Sequence, residues 1–219
     1  MDRTIKVTGK AKLSVAPDTI NVVISLESKH EQYIDAVNAS SRIMEELQTS
    51  IVSIGYDKED LKTSSFYINP HYENVNDNGI WRNILDGYEY CSELVMTIPN
   101  DNDRLSKLIT CLTSTSVEPR IDLRYTVENQ EIIREKLLES AILDCANKAK
   151  VMAKAAGVTL GEIINMEHTG GNSDICSQPV SLYRSKASDM SANVSLEINA
   201  NNIELEDSAT VIWEINGAL

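Results

Sequence analysis

The chain has 219 residues, of which 42% are hydrophobic and 24% are charged; these fractions are typical of globular proteins and exclude a disordered, collagen-like or disulfide-scaffold protein. Its 33 acidic and 20 basic residues give a net charge of −13, which opposes binding to phosphate backbones, and no local basic patch offsets it. No apolar run reaches the ~20 residues of a membrane-spanning helix. We therefore expect a folded protein with no nucleic-acid partner and no membrane span.

The first two elements are predicted strands. Residues 4–16 alternate between polar side chains and apolar or small ones, which indicates a long strand with one solvent-exposed face. Pro17-Asp18 interrupts the alternation, and residues 20–27 resume it. We interpret the two runs as a hairpin that turns at Pro17-Asp18.

A helix follows. Ser28 and Glu31 have the spacing of a capping box, which predicts that the helix starts there. Gly55 suits the left-handed position that closes a helix. The predicted apolar stripe consists of Tyr33, Val37, Met44, Leu47, Ile51 and Ile54.

Two more strands are predicted around 66–72 and 88–98, because apolar side chains occupy alternate positions in both segments. The residues between them, 73–86, are mostly polar and include Trp81. This segment is longer than a tight hairpin turn, so we interpret it as a polar loop.

The second half of the chain contains two further helices. Asn100 is predicted to cap a short helix, which a strand at 121–127 follows. The inner face of the short helix consists of Leu105, Leu108, Ile109 and Leu112. Asn129 opens a longer helix that Gly157 stops. The stripe of that longer helix is Ile133, Leu137, Ala141, Cys145, Ala149, Met152 and Ala156, whose small residues should let it lie close to a sheet.

The C-terminal segment contains strands and one long irregular stretch. A strand is predicted at 160–168, and two more near 194–199 and 203–215. Residues 169–192 are rich in Gly, Ser, Asp and Asn and show no periodicity, which indicates a long mobile loop.

The predicted order is β-β-α-β-β-α-β-α-β-β-β, an α+β class with three helices packed on one face of a mostly antiparallel sheet. The second to fifth strands, with their two helices, have the ferredoxin-like order β-α-β-β-α-β. No linker or shift in composition divides the chain before residue 169, so we expect one domain over residues 1–219.

Four cysteines, Cys91, Cys111, Cys145 and Cys176, lie 20, 34 and 31 residues apart. This spacing matches neither a zinc site nor a thioredoxin-like motif, and a chain of this length does not need disulfides. We expect reduced thiols. Cys145 is predicted to lie in the core and Cys176 to be the readily accessible thiol.

Five short motifs and one helix, in this order and spacing, resemble the SIMPL-domain family, which includes periplasmic immunogenic proteins and an adaptor of kinase signalling. They are Val7-Thr8-Gly9, Pro17-Asp18, Lys62-Thr63-Ser64, Pro70-His71-Tyr72, Gly87-Tyr88 and the helix with Ala141, Ala146, Lys148, Ala149, Ala153 and Gly157. The chain has Ala11 where the family often has a second glycine. The resemblance implies an α+β fold, frequent self-assembly, and roles in stress tolerance or interaction; it implies no catalytic residues.

The localisation that follows from the sequence differs from that of many family members. Many members carry an export signal, and the segment MDRTIKVTGK has no apolar core of that kind. As written, the chain is expected to be cytoplasmic; removal of a signal peptide would make it periplasmic or extracellular.

Candidate chemistry is sparse. His71 and Glu73 form the best local pair for metal or acid–base chemistry, although a solvent-facing pair at a strand end explains them better. Asn74, Asn76, Asn78 and Gly79 imitate the start of a calcium loop, but Leu85 replaces the required bidentate carboxylate. Asp101 and Asp103 are better explained as charges at a helix start than as metal ligands.

We therefore predict no catalytic, cofactor-binding or metal-binding residue and no cofactor. The leading interpretation is a non-enzymatic interaction or self-assembling protein, for which the family resemblance implies a role in stress or in the cell envelope. Open sheet edges and the apolar residues Leu182, Tyr183 and Met190 of the 169–192 loop favour a homo-oligomer. The alternative is a small-ligand-binding protein or an uncharacterised hydrolase with a cleft near His71 and Tyr72.

Overall fold

The computed structural model describes residues 3–77, 79–116, 119–168, 174–182 and 198–217. The chain divides into two compact units. Unit 1 consists of Met1–Pro17, Val127–Cys176 and Asn201–Leu219, and unit 2 consists of Asp18–Thr126 and Ser177–Ala200. Each unit contains one antiparallel sheet.

The helices and strands follow the predicted order, which confirms the α+β class. They are β1 (Thr4–Val15), β2 (Thr19–His30), α1 (Tyr33–Ser53), β3 (Leu61–Asp77), β4 (Ile80–Pro99), α2 (Asn102–Thr113), β5 (Arg120–Thr126), α3 (Gln130–Ala156), β6 (Thr159–His168), β7 (Val180–Leu182) and β8 (Ile203–Asn216). The strands, however, divide between two sheets, whereas the sequence predicted one.

Unit 2 contains the larger sheet, with strand order β3-β4-β2-β5-β7. In this order β4 lies between β2 and β3, the two strands that α1 connects, which is the split arrangement of a ferredoxin-like motif. Alternate residues of β2 and β4 are buried because one face of the sheet lies against α1 and α2. The four predicted inner residues of α2 and both Leu47 and Ile51 of α1 lie in this core.

Unit 1 contains the smaller sheet, with strand order β1-β8-β6, and α3 packs against it. The core joins apolar residues of β1 and β8 to small residues of α3, among them Ala141, Cys145 and Ala149. As the small-residue stripe predicted, the helix lies close to the sheet: the Gly9 backbone N–H donates to Cys145 Sγ over 2.9 Å, and the Cys145 thiol donates to the Ala209 carbonyl over 3.1 Å.

The predicted hairpin at Pro17-Asp18 is wrong. β1 pairs along its whole length with β8, and β2 pairs along its whole length with β4. Hairpin turns of two residues favour Asn-Gly or Asp-Gly, which have the required positive φ angles, and Pro17-Asp18 does not have that chemistry. The proline ends β1 without starting a turn between paired strands.

The predicted helix start at Ser28 is also wrong. β2 continues to His30 because residues 27–30 pair with residues 88–91 of β4, and Ser28 Oγ lies 2.9 Å from His30 Nε2 instead of capping a helix. α1 begins at Tyr33, which is exposed, and its buried face includes Ala36, Ala39 and Ile43. Gly55 and Gly157 do have the predicted left-handed φ angles after α1 and α3.

Two further boundaries differ from the prediction. Asp101, not Asn100, is the N-cap of α2, and its carboxylate accepts the Arg104 backbone N–H over 2.9 Å. Within the predicted loop 169–192, the described residues 174–182 contain β7 and the buried Ile175. Residues 169–173 and 183–192, with Tyr183 and Met190, and most of the strand predicted at 194–199 lie outside the described residues.

Candidate functional site

The three histidines lie on different parts of the fold. His30 contacts Ser28 in unit 2, and in unit 1 His168 Nε2 lies 2.9 Å from Asp207 Oδ2. Within the described ranges, no three His, Cys, Asp or Glu side chains come close enough together to hold a metal ion.

His71 and Glu73, the predicted local pair, lie on β3 near an irregularity in its pairing with β4. His71 lies at a register shift between Pro70 and Tyr72, whereas Glu73 is exposed opposite Ile84. A hydrogen bond from Lys29 lowers the pKa of Asp86, and the charge of His71 acts in the same direction. The charge of His71 therefore acts on the Lys29–Asp86 ion pair. The ligand cleft predicted near His71 and Tyr72 stays a prediction.

The four thiols are unpaired, and those of Cys91 and Cys111 are poorly suited to nucleophilic chemistry. All four cysteines are free, and Cys145 is buried as predicted. Cys176 was predicted to be the readily accessible thiol, but it is half-buried, as are Cys91 and Cys111. Burial raises the pKa of Cys91 above its ordinary value, although a hydrogen bond with Tyr67 lowers it. Burial also raises the pKa of Cys111. A protonated thiol is a poor nucleophile and a poor metal ligand.

The residues that imitate a calcium loop form a turn. Asn74 and Asn76 belong to β3, and the Oδ1 atom of Asn76 accepts the backbone N–H of Gly79 over 2.8 Å. Asn78 lies outside the described residues. Because Asn76 satisfies a backbone group of its own chain, the arrangement is that of a closed hairpin turn.

The segment predicted as a polar loop, 73–86, is the outer half of a long hairpin. β3 and β4 pair as far as Asp77 and Ile80, and the pairing of β4 with β2 begins only at Tyr88. We call residues 72–77 and 79–85 the arm. In the described part of the chain, the arm is a two-stranded ribbon with no third strand beside it.

The arm exposes large apolar side chains on both faces. Trp81 is 69% exposed and Ile80 is 61% exposed. Opposite residues of an antiparallel pair share a face, so Tyr72, Trp81 and Leu85 share one face of the arm, and Val75, Ile80 and Ile84 share the other.

The arm is the feature that the sequence analysis missed, and the sequence contains a signal for it. Residues 78–79 are Asn-Gly, the dipeptide most typical of a two-residue hairpin turn, and Gly79 has a φ of +88°. Its many Asn residues are typical of a loop, and its apolar residues come in adjacent pairs, at 80–81 and 84–85, so the segment lacks the alternation by which a strand is recognised. A ribbon with exposed apolar side chains on both faces can bind another protein surface, but it presents no convergent polar groups for catalysis.

None of the described helices is long and apolar enough to cross a membrane.

Comparison with known proteins gives one family and two relatives. The model of the family described as "SIMPL: Protein of unknown function (DUF541)" matches residues 5–213, which include parts of both units. A protein named "26 kDa periplasmic immunogenic protein" from Brucella melitensis biotype 1 is 23% identical over 163 residues, and the protein of the same name from Brucella abortus (strain S19) has the same identity over the same length. Each alignment covers 74% of this chain and 65% of the Brucella protein.

Proposed function

This chain belongs to the SIMPL family, a family of unknown function, and from that premise we propose that it is a non-enzymatic interaction protein that assembles with copies of itself through the arm. The observation that carries the proposal is the exposure of six large apolar side chains on a ribbon of only two strands. The hairpin arm takes the place of the 169–192 loop as the proposed contact.

The energetics of an isolated ribbon support this proposal. A two-stranded hairpin alone is marginally stable in water, and it gains stability when an apolar face is covered. Soluble monomers seldom expose contiguous apolar patches of large side chains, and such patches usually mark interaction sites. The free edges of β3 and β4 add unpaired backbone groups that a further strand can pair with.

The charge of the arm favours a second copy as the partner. Copies of a chain with a net charge of −13 repel one another across most of their surface. The arm carries one arginine against one glutamate and one aspartate, so it is nearly neutral. Contact between two arms therefore brings nearly neutral surfaces with exposed apolar side chains together, in an isologous arrangement that closes after two copies.

Size-exclusion chromatography with light scattering tests the proposal over a concentration series. We expect a mass of twice 24.3 kDa for the native chain. The double variant I80S/W81S should shift the mass to that of one chain, because it removes apolar contact from both faces of the arm. Val151→Ser is the matched control, because Val151 is an equally exposed apolar residue (68%) on α3.

Three outcomes would contradict the proposal. The first is a native mass of 24.3 kDa at every concentration. The second is an oligomer that I80S/W81S leaves intact. The third is an oligomer that dissociates when residues 172–189 are deleted but not when the arm is changed, which would place the contact in the predicted loop.

The proposal extends to the cell envelope. Both relatives are named as periplasmic proteins, and periplasmic proteins of this kind work outside the cytoplasmic membrane. We propose the same location and a role in envelope integrity or stress for this chain. Fractionation of the native cells tests the proposed location, and we expect the protein in the periplasmic fraction. Recovery of the protein with a cytoplasmic marker enzyme would contradict this part of the proposal.

A further inference from the structure

A pocket of about 240 Å³ lies in unit 2 between the end of α1 and the first turns of α2. Its walls are Ile54, Gly55 and Tyr56, which follow α1, and Arg104 and Lys107, which lie three residues apart on α2. Residues three apart on a helix share a face, so the guanidinium and the ammonium groups are neighbours. The pocket lining contains two cations and no carboxylate.

Neither of the two cations is paired with a carboxylate. In the described part of the chain, neither Arg104 nor Lys107 forms a salt bridge, although Asp103 lies four residues before Lys107. Both side chains are exposed. Arg104 lies in the first turn of α2, where the helix dipole favours negative side chains, so the dipole does not stabilise its charge.

Two carboxylates whose charges act on Tyr56, those of Asp101 and Asp60, accept backbone N–H groups. The Asp101 carboxylate accepts the backbone N–H of Arg104 over 2.9 Å, and the Asp60 carboxylate accepts the backbone N–H of Asp57 over 3.0 Å. Burial raises the pKa of Tyr56, and the charge of Arg104, which lines the same pocket, acts in the opposite direction. Asp101 and Asp60 add to the effect of burial.

Tyr56 adds an unused donor. Its hydroxyl oxygen is buried and has no hydrogen-bond partner among the described residues, as is also true of Asn102 Oδ1 in the first turn of α2. Buried hydroxyls nearly always have a partner, so an unpartnered one beside a pocket is a donor available to a ligand or a water molecule. Because burial keeps it protonated, the phenol offers a hydrogen and no charge.

We propose that this pocket binds a phosphate group, either as free phosphate or as a small phosphomonoester. A guanidinium binds two oxygens of a tetrahedral oxyanion at once, an ammonium binds a third as a point charge, and a phenol can donate to the same group. The volume exceeds that of a single ion and leaves room for a small ester substituent. The site does not depend on the proposed self-assembly, because all its residues belong to unit 2 and none lies in the arm.

Equilibrium dialysis against radiolabelled inorganic phosphate at constant ionic strength tests the proposal on the full chain. We expect saturable binding of a single phosphate per chain with a dissociation constant on the order of 1 mM. The variant R104Q/K107Q should weaken binding at least about tenfold, since it removes two charged hydrogen-bond donors. Tyr56→Phe keeps the ring and removes only the hydroxyl, so it should weaken binding by a smaller factor.

The control removes the same charge elsewhere. Lys136 and Lys150 are exposed on α3, and K136Q/K150Q should leave binding unchanged. Thermal unfolding of each variant, followed by circular dichroism, verifies that the fold is intact. The proposal is overturned if native protein shows no saturable binding, or if both double variants lose affinity equally, because the effect would then come from net charge.

A competition experiment distinguishes the two sources of the phosphate group. Unlabelled phenyl phosphate should displace the label at lower concentration than unlabelled inorganic phosphate if the ligand is a phosphomonoester, and at higher concentration if it is free phosphate. Failure of both compounds to displace the label from native protein would overturn the site.

Discussion

Gly9 lies in β1 where α3 crosses the small sheet of unit 1. A Cβ atom at this position would lie 2.6 Å from the backbone nitrogen of Cys145 and 2.7 Å from its Sγ, and closer still to the carbonyl oxygen of Ala141. Two of these three atoms belong to the backbone of a long helix, so they cannot move aside as a flexible side chain would. The absence of a side chain at position 9 is what allows the Gly9 N–H to reach the Cys145 thiol.

We predict that Gly9→Ala lowers the free energy of unfolding by about 3 kcal/mol, because the helix must shift away from the sheet to accept one methyl group. Urea unfolding followed by circular dichroism measures the change. Gly157→Ala is the control: no atom lies within 4 Å of its Cβ position, so only the left-handed φ of 71° is penalised, at about 1 kcal/mol. Equal losses for the two variants would show that close packing at Gly9 is unimportant.

At the scale of elements, the sequence predicted the helices and strands whose apolar residues recur at a regular spacing and whose ends carry typical capping or helix-ending residues. β1, α2, α3 and β8 have regular patterns, and most of their predicted inner residues are buried, among them Leu105, Ala141 and Val211. The last part of the predicted α3 stripe is wrong: Met152 and Ala156 are exposed, and Ala153 is buried instead. The pairing of strands could not be predicted, because alternation shows which face of a strand is buried but not which strand lies beside it. The hairpin at Pro17-Asp18 failed for this reason.

The candidate site was the least predictable part. The arm lies outside the core, so burial imposes no regular alternation on it, and its asparagines are typical of a loop. The phosphate pocket joins residues about 50 positions apart, Tyr56 and Arg104, which share no motif. Only the Asn-Gly at 78–79 gave a local signal for either feature.

The core position of α3 leads to a prediction at the element scale. Leu137 is 7% exposed in the core of unit 1, so Leu137→Asp places a carboxylate among apolar side chains with no partner. We expect a loss of about 3 kcal/mol or more in the free energy of unfolding, enough to prevent stable folding. Val151→Asp on the exposed side of the same helix should change it by less than about 0.5 kcal/mol. A melting temperature that Leu137→Asp leaves unchanged would show that α3 contributes little to the fold.

Two features concern the whole molecule: its strongly negative net charge and the division of the chain into two compact units. The family model covers residues of both units, which supports the proposal that residues 1–219 act as one SIMPL domain. A single calorimetric transition is the expected behaviour of such a domain, and two separate transitions would contradict it. The net charge of −13 governs which partners the molecule can approach.

We predict no measurable binding to DNA or RNA at physiological salt, because the phosphate backbone and this chain repel each other over long distances. Fluorescence anisotropy with labelled duplex DNA and single-stranded RNA provides the measurement. Binding in the micromolar range that weakens steeply with added salt would contradict the prediction. The phosphate pocket does not alter it, because one pair of cations cannot replace the many contacts that a nucleic acid requires.

The strand order of the small sheet has a consequence for how the protein is made. β8 lies between β1 and β6 and follows both of them in the sequence, so neither neighbour has this partner until β8 itself has been synthesised. In unit 2, β2 to β5 lie within one continuous segment and can pair while the ribosome is still translating α3. β1 is therefore synthesised before the other described strands, yet it pairs only after the long intervening segment has been made, which is the kind of non-local pairing that forms slowly.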